Sequence, residues 1–543
     1  MTLQPKNVKP AARLAFIVCT LSGLLFLQLT AFAQRAKTHT LTADEAKMVK
    51  KDANGAFSSG DFNSALSSYK DLVKSAPDNA EYNYRYGLCI LQTNSIKSQA
   101  VPYLEKASLS TQTKKDVWYY LGMAYMYANK WDDAITAFNT SKTNGVLKPT
   151  KDFLPVERMI EMCANGKEIC AHPVDVTFEN LTKVINTPYD DYNPMISADE
   201  KTLAFTSRRK GNMGGFIPEL GIYTADIYST TWRDTVWAKA RSVGATVNSD
   251  WDEETVGMTH DGNQLVIYFD NMDIFGDLGI SMRKGRNWQR PIQMSSSINS
   301  KSIENSGCLS NDGQVIYFSS DKKDGQGMSD IWFSIRQTTG EWSAPQNLGP
   351  TINTKYDETD PYISLDGHTL YFSSKGHNSM GGFDIFSSTY DSGTAKWSEP
   401  KNLGYPINDA DDQTSFSMTG NERYAYVAAV REGGLGDRDI YRITFSDTST
   451  HPFRSLISGV VTSPNGAKVE LRQVSLLSSP DKKVLSVYKP YFMSNDYVLN
   501  AAPGDYFLKV EGYGFPVVEE EIKIEDAFPP ADLVKNFSVV VAK

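Results

Sequence analysis

The stretch Tyr356–Phe386, YDETDPYISLDGHTLYFSSKGHNSMGGFDIF, decides the fold of the longest part of the chain. An alternating segment ends at an Asp366-Gly367 turn, a β-branched and aromatic segment follows, and a glycine-rich turn leads into Asp384-Ile385-Phe386. Strand, Asp-Gly turn, strand, glycine turn and strand are the pattern of an antiparallel meander. The stretch therefore predicts neighbouring strands of one antiparallel sheet.

The phrase before this stretch repeats along the chain, as QNLGPTIN at Gln346–Asn353 and KNLGYPIN at Lys401–Asn408. Five copies end on an asparagine, with separations of 62, 51, 54 and 55 residues: Asn186, Asn248, Asn299, Asn353 and Asn408. Four short strands per unit at this period predict the blades of a β-propeller. We predict a propeller over residues 172–446 with five blades, and six as the alternative because the first unit is long.

The words of the repeat resemble the WD40-like repeats of the TolB type. They are Asn-Leu-Gly, Ile-Asn, Asp-Glu, Asp-Gly, Tyr-Phe-Ser-Ser and Gly-Gly-x-Asp-Ile, and they are clearest in the third and fourth copies. The resemblance implies a propeller fold, which hosts enzymes, scaffolds and receptors alike.

Residues 1–33 are typical of a signal peptide, with a basic start, a mostly apolar run and Ala31-Phe32-Ala33 before Gln34. The sequence before Cys19 lacks the small residues of a lipoprotein signal, so lipidation is not expected. We predict an exported protein with no membrane-spanning segment after signal removal. Removal takes away three basic and no acidic residues, so the net charge falls from −9 to −12. Such a chain is a poor candidate for nucleic-acid binding, and Arg208-Arg209-Lys210 is expected in a solvated loop.

Residues 41–170 are predicted to form a helical domain of three tetratricopeptide repeats and a capping helix. Trp118-x-x-Leu121-Gly122-x-x-Tyr125 followed by Ala134-x-x-x-Phe138 matches that repeat, and two weaker copies precede it. Gly87 and Gly122 are expected to let paired helices approach, and the capping helix, Pro155–Asn165, is expected to end at Gly166. Stacks of this kind bind peptides or proteins on their concave face.

The candidate partner-binding residues are aromatic. Some members of a dense tyrosine set are expected to face a partner, while most pack between helices; the candidates are Tyr82, Tyr86, Tyr119 and Tyr125. Trp232 is a further candidate, because it lies in a first-blade insertion and has no counterpart in the other copies. Trp237, in contrast, is interpreted as that blade's version of Trp288, Trp342 and Trp397.

Residues 456–543 are predicted to form a small β-sandwich. Ile457-x-Gly459-x-Val461 opens a strand, and Pro503-Gly504-Asp505-Tyr506 is similar to a turn of the carboxypeptidase-regulatory-like domain. The fold class is therefore multidomain: a tetratricopeptide stack, an all-β propeller and a small β-sandwich.

No catalytic, cofactor-binding or metal-binding residues are predicted. The aspartates of the Asp-Ile motif recur in every copy, which favours a structural role at a turn. No G-x-S-x-G motif occurs, and the histidines are scattered, with His260 and His368 expected in solvent. Calcium at Asp409, Asp411 and Asp412 is a minor alternative. Cys163 and Cys170 are compatible with either a disulfide or two buried thiols.

The order of domains, and Val174–Arg209 at the start of the propeller, resemble PorE-like envelope proteins of the type IX secretion and gliding machinery. Those proteins end in an OmpA-like peptidoglycan-binding domain, which is not expected in this sequence. The resemblance implies a non-catalytic scaffold, periplasmic or associated with the outer membrane. Its expected partners are envelope proteins, including outer-membrane secretion components, and peptidoglycan binding is in doubt. The alternative is a carbohydrate-binding or carbohydrate-processing propeller, supported by the aromatic residues and the sandwich.

Overall fold

The computed structural model describes residues 41–144, 154–218, 221–233, 235–270, 275–446, 453–490, 494–527 and 531–542. A helical region comes first and a large strand-rich region follows, which confirms the predicted order. The predicted signal peptide lies outside the described residues. None of the helices in the described ranges is both long enough and apolar enough to span a membrane.

The helical region consists of three helix pairs and a last helix. In chain order they are α1 (Ala43–Ser59), α2 (Phe62–Ser75), α3 (Ala80–Leu91), a 3₁₀ turn (Lys97–Ala100) that continues into α4 (Val101–Ser108), α5 (Val117–Tyr127), α6 (Trp131–Asn144) and α7 (Val156–Ala171). Thr42 and Glu45 form a capping box at the start of α1, and Gly60 ends that helix in the left-handed conformation.

Glycines set the close approach of paired helices, as predicted. A Cβ atom on Gly87 would lie 2.7 Å from Leu104, and one on Gly122 would lie 2.7 Å from Phe138. The prediction that the capping helix ends at Gly166 is wrong, because α7 continues to Ala171. Gly166 is needed inside the helix, since a Cβ atom there would lie 2.5 Å from the Trp131 ring.

Five antiparallel sheets follow, each from one copy of the repeat. Sheet I contains Asp191–Ile196, Thr202–Ser207, Asp226–Arg233, Val236–Trp237 and Arg241–Ser242; sheet II contains Asp252–Met258, Gln264–Asp270, Phe275–Lys284, Asn287–Trp288 and Ile292–Gln293; sheet III contains Glu304–Leu309, Val315–Ser320, Asp330–Ile335 and Gln346–Asn347; sheet IV contains Glu358–Ile363, Thr369–Ser374, Asp384–Asp391, Lys396–Trp397 and Lys401–Asn402; sheet V contains Ser417–Met418, Tyr424–Ala429, Asp439–Phe445 and, from the start of the region, Val176–Asn180. A short helix α8 (Thr182–Ile185) precedes sheet I, and Phe216–Ile217 pairs with Ile222–Tyr223 in an insertion of sheet I.

The first strand of the region completes the last sheet. Val176–Asn180 pairs antiparallel with Asp439–Phe445, and Val176 lies opposite Phe445. The first strand of sheet I contacts sheets II and V, and the first strands of sheets II, III and IV contact one another in turn. Tyr362 in sheet IV donates a hydrogen bond to Met418 O in sheet V at 2.7 Å. The five sheets therefore form a closed ring with their first strands at the centre.

The five repeated asparagines have one structural role. Each asparagine side chain forms two hydrogen bonds with the backbone of the residue that follows a motif aspartate. Its Nδ2 donates to the backbone oxygen of that residue and its Oδ1 accepts from the backbone nitrogen, at 2.8 to 3.0 Å. For Asn186, Asn248, Asn299, Asn353 and Asn408 the partners are, in that order, Ile440, Ile227, Leu278, Ile331 and Ile385. The predicted structural role of the motif aspartates is confirmed at four copies. For example, Asp384 accepts from Met380 N at 3.0 Å and from Asn402 Nδ2 at 2.6 Å.

The C-terminal region has two four-stranded sheets. One contains Ser455–Thr462, Asp496–Ala501, Leu533–Val534 and Phe537–Ser538; the other contains Glu470–Ser478, Val484–Tyr488, Gly504–Tyr513 and Val518–Ile524. Their shared apolar core extends to Ala198 and Leu365, beside the Asp-Gly turns of the ring. Tyr488 donates to Asp261 at 3.0 Å, and Asn500 donates to Gly420 O at 2.7 Å. The region is thus packed on the turn side of the ring.

Two expectations about solvent exposure are wrong. His260 is buried, because its ring packs near Tyr362 and its Nε2 lies 3.0 Å from Ile363 O; His368 is exposed as expected. Arg208 and Arg209 are not in a solvated loop, since Arg208 pairs with Asp252 at 2.7 Å and Arg209 pairs with Asp191 at 2.6 Å. Of that basic run only Lys210 is exposed.

Cys163 and Cys170 are separate thiols. Both lie on α7, seven residues apart, which places their Cα atoms about 10 Å apart along the axis and beyond the reach of a disulfide. Burial raises the pKa of the Cys163 thiol to about 12. The thiol alternative therefore holds, with Cys163 buried and Cys170 half-buried.

Asn353→Ala is expected to lower the free energy of unfolding by about 1 to 3 kcal/mol, because it leaves the buried N–H of Ile331 without its side-chain partner, whereas the C=O of Ile331 still accepts from Leu348 N at 3.1 Å. Urea denaturation measures the loss. Asn378→Ala is the matched control, since Asn378 is exposed. Equal stability of the two variants would contradict the role of the asparagine.

Candidate functional site

The surface formed by α1 and α3 carries a polar network. Tyr69 from α2 donates to Asn54 Oδ1 at 2.6 Å, and Arg85 Nη1 donates to the same oxygen at 3.0 Å. Arg85 also pairs with Glu81 at 3.3 Å, and Glu81 pairs with Lys50 at 2.8 Å. This chain of contacts joins consecutive repeats and fixes charged groups on the helical surface.

A depression in the helical region lies at the turns between the repeats. It has a volume of about 860 Å³ and is lined by both charged groups and an apolar side chain, among them Asp78, Arg85, Lys106 and Leu109. Leu109 is exposed, whereas Tyr84 below it donates to Asp116 at 2.7 Å. The helical region thus offers a groove that is lined by both charged and apolar side chains.

The predicted tyrosines lie in different environments. Tyr86 is buried against Tyr103, with ring centroids 4.7 Å apart, and Tyr119 is buried and donates to Leu154 O at 3.0 Å. Tyr82 and Tyr125 are half-buried. The centroid of the Tyr82 ring lies 5.3 Å from Lys50 Nζ, and the Tyr125 hydroxyl donates to Glu105 at 2.8 Å. Of the four, only Tyr119 lines the cleft described below.

Trp232 lies in the third strand of sheet I, opposite Trp237 of the outer hairpin strand. It is 36% exposed and packs edge to face on Trp237 at 5.1 Å. The interpretation of Trp237 is confirmed, because Trp237, Trp288 and Trp397 occupy the same outer hairpin strand of their sheets, and Trp342 forms the corresponding bridge with Arg336.

Arg158 of α7 fixes the helical region on sheet IV. Its side chain is only 3% exposed and donates to Lys375 O at 2.7 Å, Gly376 O at 2.9 Å and Ser379 Oγ at 2.9 Å. The guanidinium also lies 4.8 Å from the centroid of the Tyr356 ring. A buried charge with this many partners is well compensated, so the two regions form one unit.

The loop between sheets IV and V forms the second contact with the helices. Lys97 pairs with Asp411, and Asp412 accepts from Phe383 N at 2.9 Å. Burial raises the pKa of the neighbouring Tyr127 well above its usual value, so its hydroxyl stays neutral. Of the acidic residues considered for calcium, Asp411 is used in this contact, Asp412 binds Phe383 N at sheet IV, and Asp409 accepts from Gln413 Nε2 at 2.8 Å. No group of three or more His, Cys, Asp or Glu within the described ranges is arranged to hold a metal ion.

A cleft of about 490 Å³ remains between α5, α7 and the loops of sheets III to V. Its apolar lining comes from both regions: Tyr119, Met123, Met126, Tyr127 and Met159 from the helical region, and Met328 and Tyr356 from the sheets. Met328 is 43% exposed. Methionine side chains adapt to different apolar partners, so this lining fits a protein segment better than a rigid small molecule.

A ring of polar side chains lies where the first strands of the sheets meet. Tyr192 donates to Glu254 at 2.6 Å, Ser415 donates to Asn193 at 2.6 Å, and Ser306 Oγ accepts from Asp360 N at 2.9 Å. Each contact joins two different sheets. A further hydrogen bond, from the backbone N–H of Ser415 to the Asp360 carboxyl, joins sheets IV and V, so the four contacts together link all five sheets at the centre.

Glu254 and Asp360 break the symmetry of this ring. Asp360 takes the position held by Asn193, Thr255, Ser306 and Ser415 in the other sheets, and burial raises its pKa to about 7. Burial also raises the pKa of Glu254, while Arg208 at 3.3 Å opposes that rise. The ring thus contains Asp360, whose carboxyl has a pKa of about 7, and Glu254, whose carboxyl is ion-paired with Arg208.

Sequence reasoning missed the cleft and the central ring for different reasons. The cleft is built from residues of two regions, so no local pattern marks it. Asp360 carries a signal that alignment of the five copies reveals, because it is the one acidic residue two positions after the conserved acid or glutamine of each copy.

Comparisons with known proteins support the helical part of this description. The profile of a tetratricopeptide repeat family matches residues 51–113. No curated protein matches the sequence. Tetratricopeptide repeats bind other proteins, so the helical region is a protein-interaction module.

Several solved structures resemble parts of the chain at low identity. The TPR2AB domain of yeast Sti1 in complex with pHSP90 is 16% identical, with 24% of this chain and 48% of that chain covered and a TM-score of 0.17. This chain thus spans about half the length of that one. The endo-arabinase from Bacteroides thetaiotaomicron is 14% identical, with 49% and 95% covered and a TM-score of 0.31. A hypothetical protein from Leishmania major is 13% identical, with 52% and 92% covered and a TM-score of 0.33.

Arg158→Ala is expected to loosen the helical region from sheet IV and to lower the free energy of unfolding by about 3 kcal/mol or more, because hydrogen bonds from a charged group contribute about 1.5 to 3 kcal/mol each. Hydrogen–deuterium exchange over residues 375–380 should rise with it. Lys167→Ala on the same helix is the control, since its pair with Asp132 is exposed. Unchanged exchange in Arg158→Ala would show that the junction does not depend on this side chain.

Proposed function

We propose that the protein is a non-catalytic, protein-binding scaffold of the bacterial cell envelope, associated with an outer-membrane or type IX secretion complex. The helical region supplies a protein-interaction module, and the sheets supply a second surface beside it. The proposal of an exported protein is supported by the signal-like residues 1–33.

We further propose that the five sheets are the blades of a five-bladed propeller of the TolB and WD40-like type. The pairing of Val176–Asn180 with the last sheet and the repeated asparagine contacts support this proposal. The two C-terminal sheets are proposed to be a carboxypeptidase-regulatory-like β-sandwich, supported by their shared apolar core.

The observation that carries the proposal is the cleft between the two regions. Arg158 and the Lys97–Asp411 pair hold its walls in fixed positions, so its shape is already formed before a partner arrives. Its lining is apolar and rich in methionine, and Lys355 and Lys375 lie at its edge with Asp357 and Asp412. A protein segment that inserts apolar side chains between these charges fits such a cleft.

Met328→Asp is expected to reduce capture of envelope partners at least tenfold, because it places a charge in the wall of the cleft where a partner would remove it from water. The measurement is quantitative cross-linked pull-down from envelope fractions with the full chain, read by mass spectrometry for outer-membrane secretion components.

Met213→Asp is the matched control, since Met213 is 44% exposed, close to the 43% of Met328, and lies in the insertion of sheet I. Equal capture by both variants would exclude the cleft. Failure of the unsubstituted chain to capture any envelope protein would contradict the scaffold proposal itself.

One observation favours the alternative, a carbohydrate-processing propeller. Asp360 and Glu254 are carboxyl groups of the central ring whose pKa values burial raises, Glu254 also pairs with Arg208 at 3.3 Å, and neither acid is required by the repeat. Such a pair suits general acid and base chemistry on a glycosidic bond.

Hydrolysis of a panel of polysaccharides by the full chain and by Asp360→Asn separates the two functions. Asparagine fits the position, because Asn193 has the same left-handed backbone in sheet I, with φ of 51° against 50°. The scaffold proposal expects no release of reducing sugar from either protein. Release that falls about a hundredfold or more in Asp360→Asn, but not in the exposed control Asp324→Asn, would establish the alternative.

A further inference from the structure

A strongly basic pocket lies between the outer hairpins of sheets I and II. Its volume is about 360 Å³. Five of its lining residues are basic, from two segments that are about 45 residues apart in the sequence: Arg233, Lys239 and Arg241 of sheet I, and Arg283 and Arg286 of sheet II. The ring brings these segments together because both belong to the same hairpin of neighbouring sheets.

Most of the positive charge of this pocket is unpaired within the described residues, and Asp199 acts electrostatically on Arg283. None of the described residues that line it is acidic, and Arg233, Lys239, Arg241 and Arg286 form no ion pair with any other part of the chain that the structure describes. Arg283 donates to Thr202 Oγ1 and to Gly285 O, both at 3.1 Å. Burial lowers the pKa of Arg283, so its charge is held there against a desolvation cost.

The rest of the lining offers neutral hydrogen-bond donors. Hydroxyl and amide groups alternate with the basic residues, and Trp288 is the buried aromatic residue of the pocket; the polar groups are Ser229, Thr231, Ser242 and Asn287. Guanidinium groups bind oxyanions with two parallel hydrogen bonds, and hydroxyl groups complete the coordination of the remaining oxygens.

The basic character is not required by the fold. At the position of Lys239, two residues after the hairpin tryptophan, the other sheets have Arg290, Ala344 and Glu399. At the position of Arg241 they have Ile292, Gln346 and Lys401. Five cations in one pocket of a chain with a net charge of −9 repel one another unless an anion binds. A structural role would not need this arrangement.

We propose that this pocket binds a phosphate ester, carried either by a soluble phosphorylated molecule or by a phosphate-bearing lipid headgroup. The number of positive charges matches a phosphate dianion or a pyrophosphate better than a single carboxylate. The pocket volume accommodates a phosphate together with the first group attached to it.

The test uses sodium pyrophosphate as the probe and the full chain, with binding measured by isothermal titration calorimetry at low ionic strength. Arg241→Ala/Arg286→Ala removes two exposed cations of the pocket whose side chains form no hydrogen bond or ion pair within the described ranges, and is expected to weaken binding at least tenfold. Lys396→Ala/Lys401→Ala removes two exposed cations near the outer hairpin of sheet IV and is expected to change binding less than twofold.

Sedimentation with vesicles distinguishes the two sources of the phosphate. Binding to phosphatidic acid vesicles, but not phosphatidylcholine vesicles, that is lost in Arg241→Ala/Arg286→Ala identifies a lipid headgroup. Binding of pyrophosphate alone, with the same loss, identifies a soluble ligand. The proposal is overturned if the unsubstituted chain binds neither probe, if the sheet IV control weakens binding equally, or if citrate binds as tightly as pyrophosphate.

Discussion

The ring depends on the hydrogen bonds between one asparagine side chain and one backbone amide in each repeat. The amide of asparagine offers a donor and an acceptor in the same arrangement as a peptide group, so it extends the ladder of the third strand by one residue. The loop that leads from one sheet into the next is thereby held on the sheet that it leaves. Asn186 makes this contact with Ile440 of the last sheet, which closes the ring through the same chemistry that joins its other members.

An acid completes four of these five connections. Glu358 accepts from the backbone nitrogen of Thr354 at 2.7 Å and from its hydroxyl at 2.8 Å, and equivalent acids serve three other sheets. Burial raises the pKa of Glu358 to about 7, because the carboxylate is far from water and its hydrogen bonds only partly compensate. In sheet V, Gln413 takes the place of the acid and contacts Asp409 instead. Because of that change, the loop between sheets IV and V, which contacts the helices, uses a carboxylate of its own, Asp409, in place of the acid of the strand.

The repeat was readable from the sequence because every copy needs the same short-range contacts. In four copies the asparagine contacts span fewer than 25 residues, and Asn186 repeats the same contact with Ile440 across the closure, so the pattern is visible along the chain. The tetratricopeptide helices were readable for the same reason, since Gly87 and Gly122 mark close packing at a fixed period. Gly166 was misread as a helix end because its partner, Trp131, belongs to another helix. Arg208 and His260 were misplaced because their burial depends on neighbouring sheets. The cleft at Met328 and the pocket at Arg241 likewise combine segments that only the closed ring brings together.

The register of the closing strand also determines how the molecule responds to mechanical load. Val176, which follows the helical region, lies opposite Phe445, which precedes the C-terminal region. A force that pulls these two regions apart would therefore open the strand pair from one end, one residue pair at a time, as a zipper opens. Strand pairs loaded in this direction resist weakly, because their hydrogen bonds break in succession. The contacts of Arg158 with sheet IV, and those of Tyr488 and Asn500 with the turns, do not involve this strand pair. A force between the flanking regions is therefore carried by the other sheets of the ring.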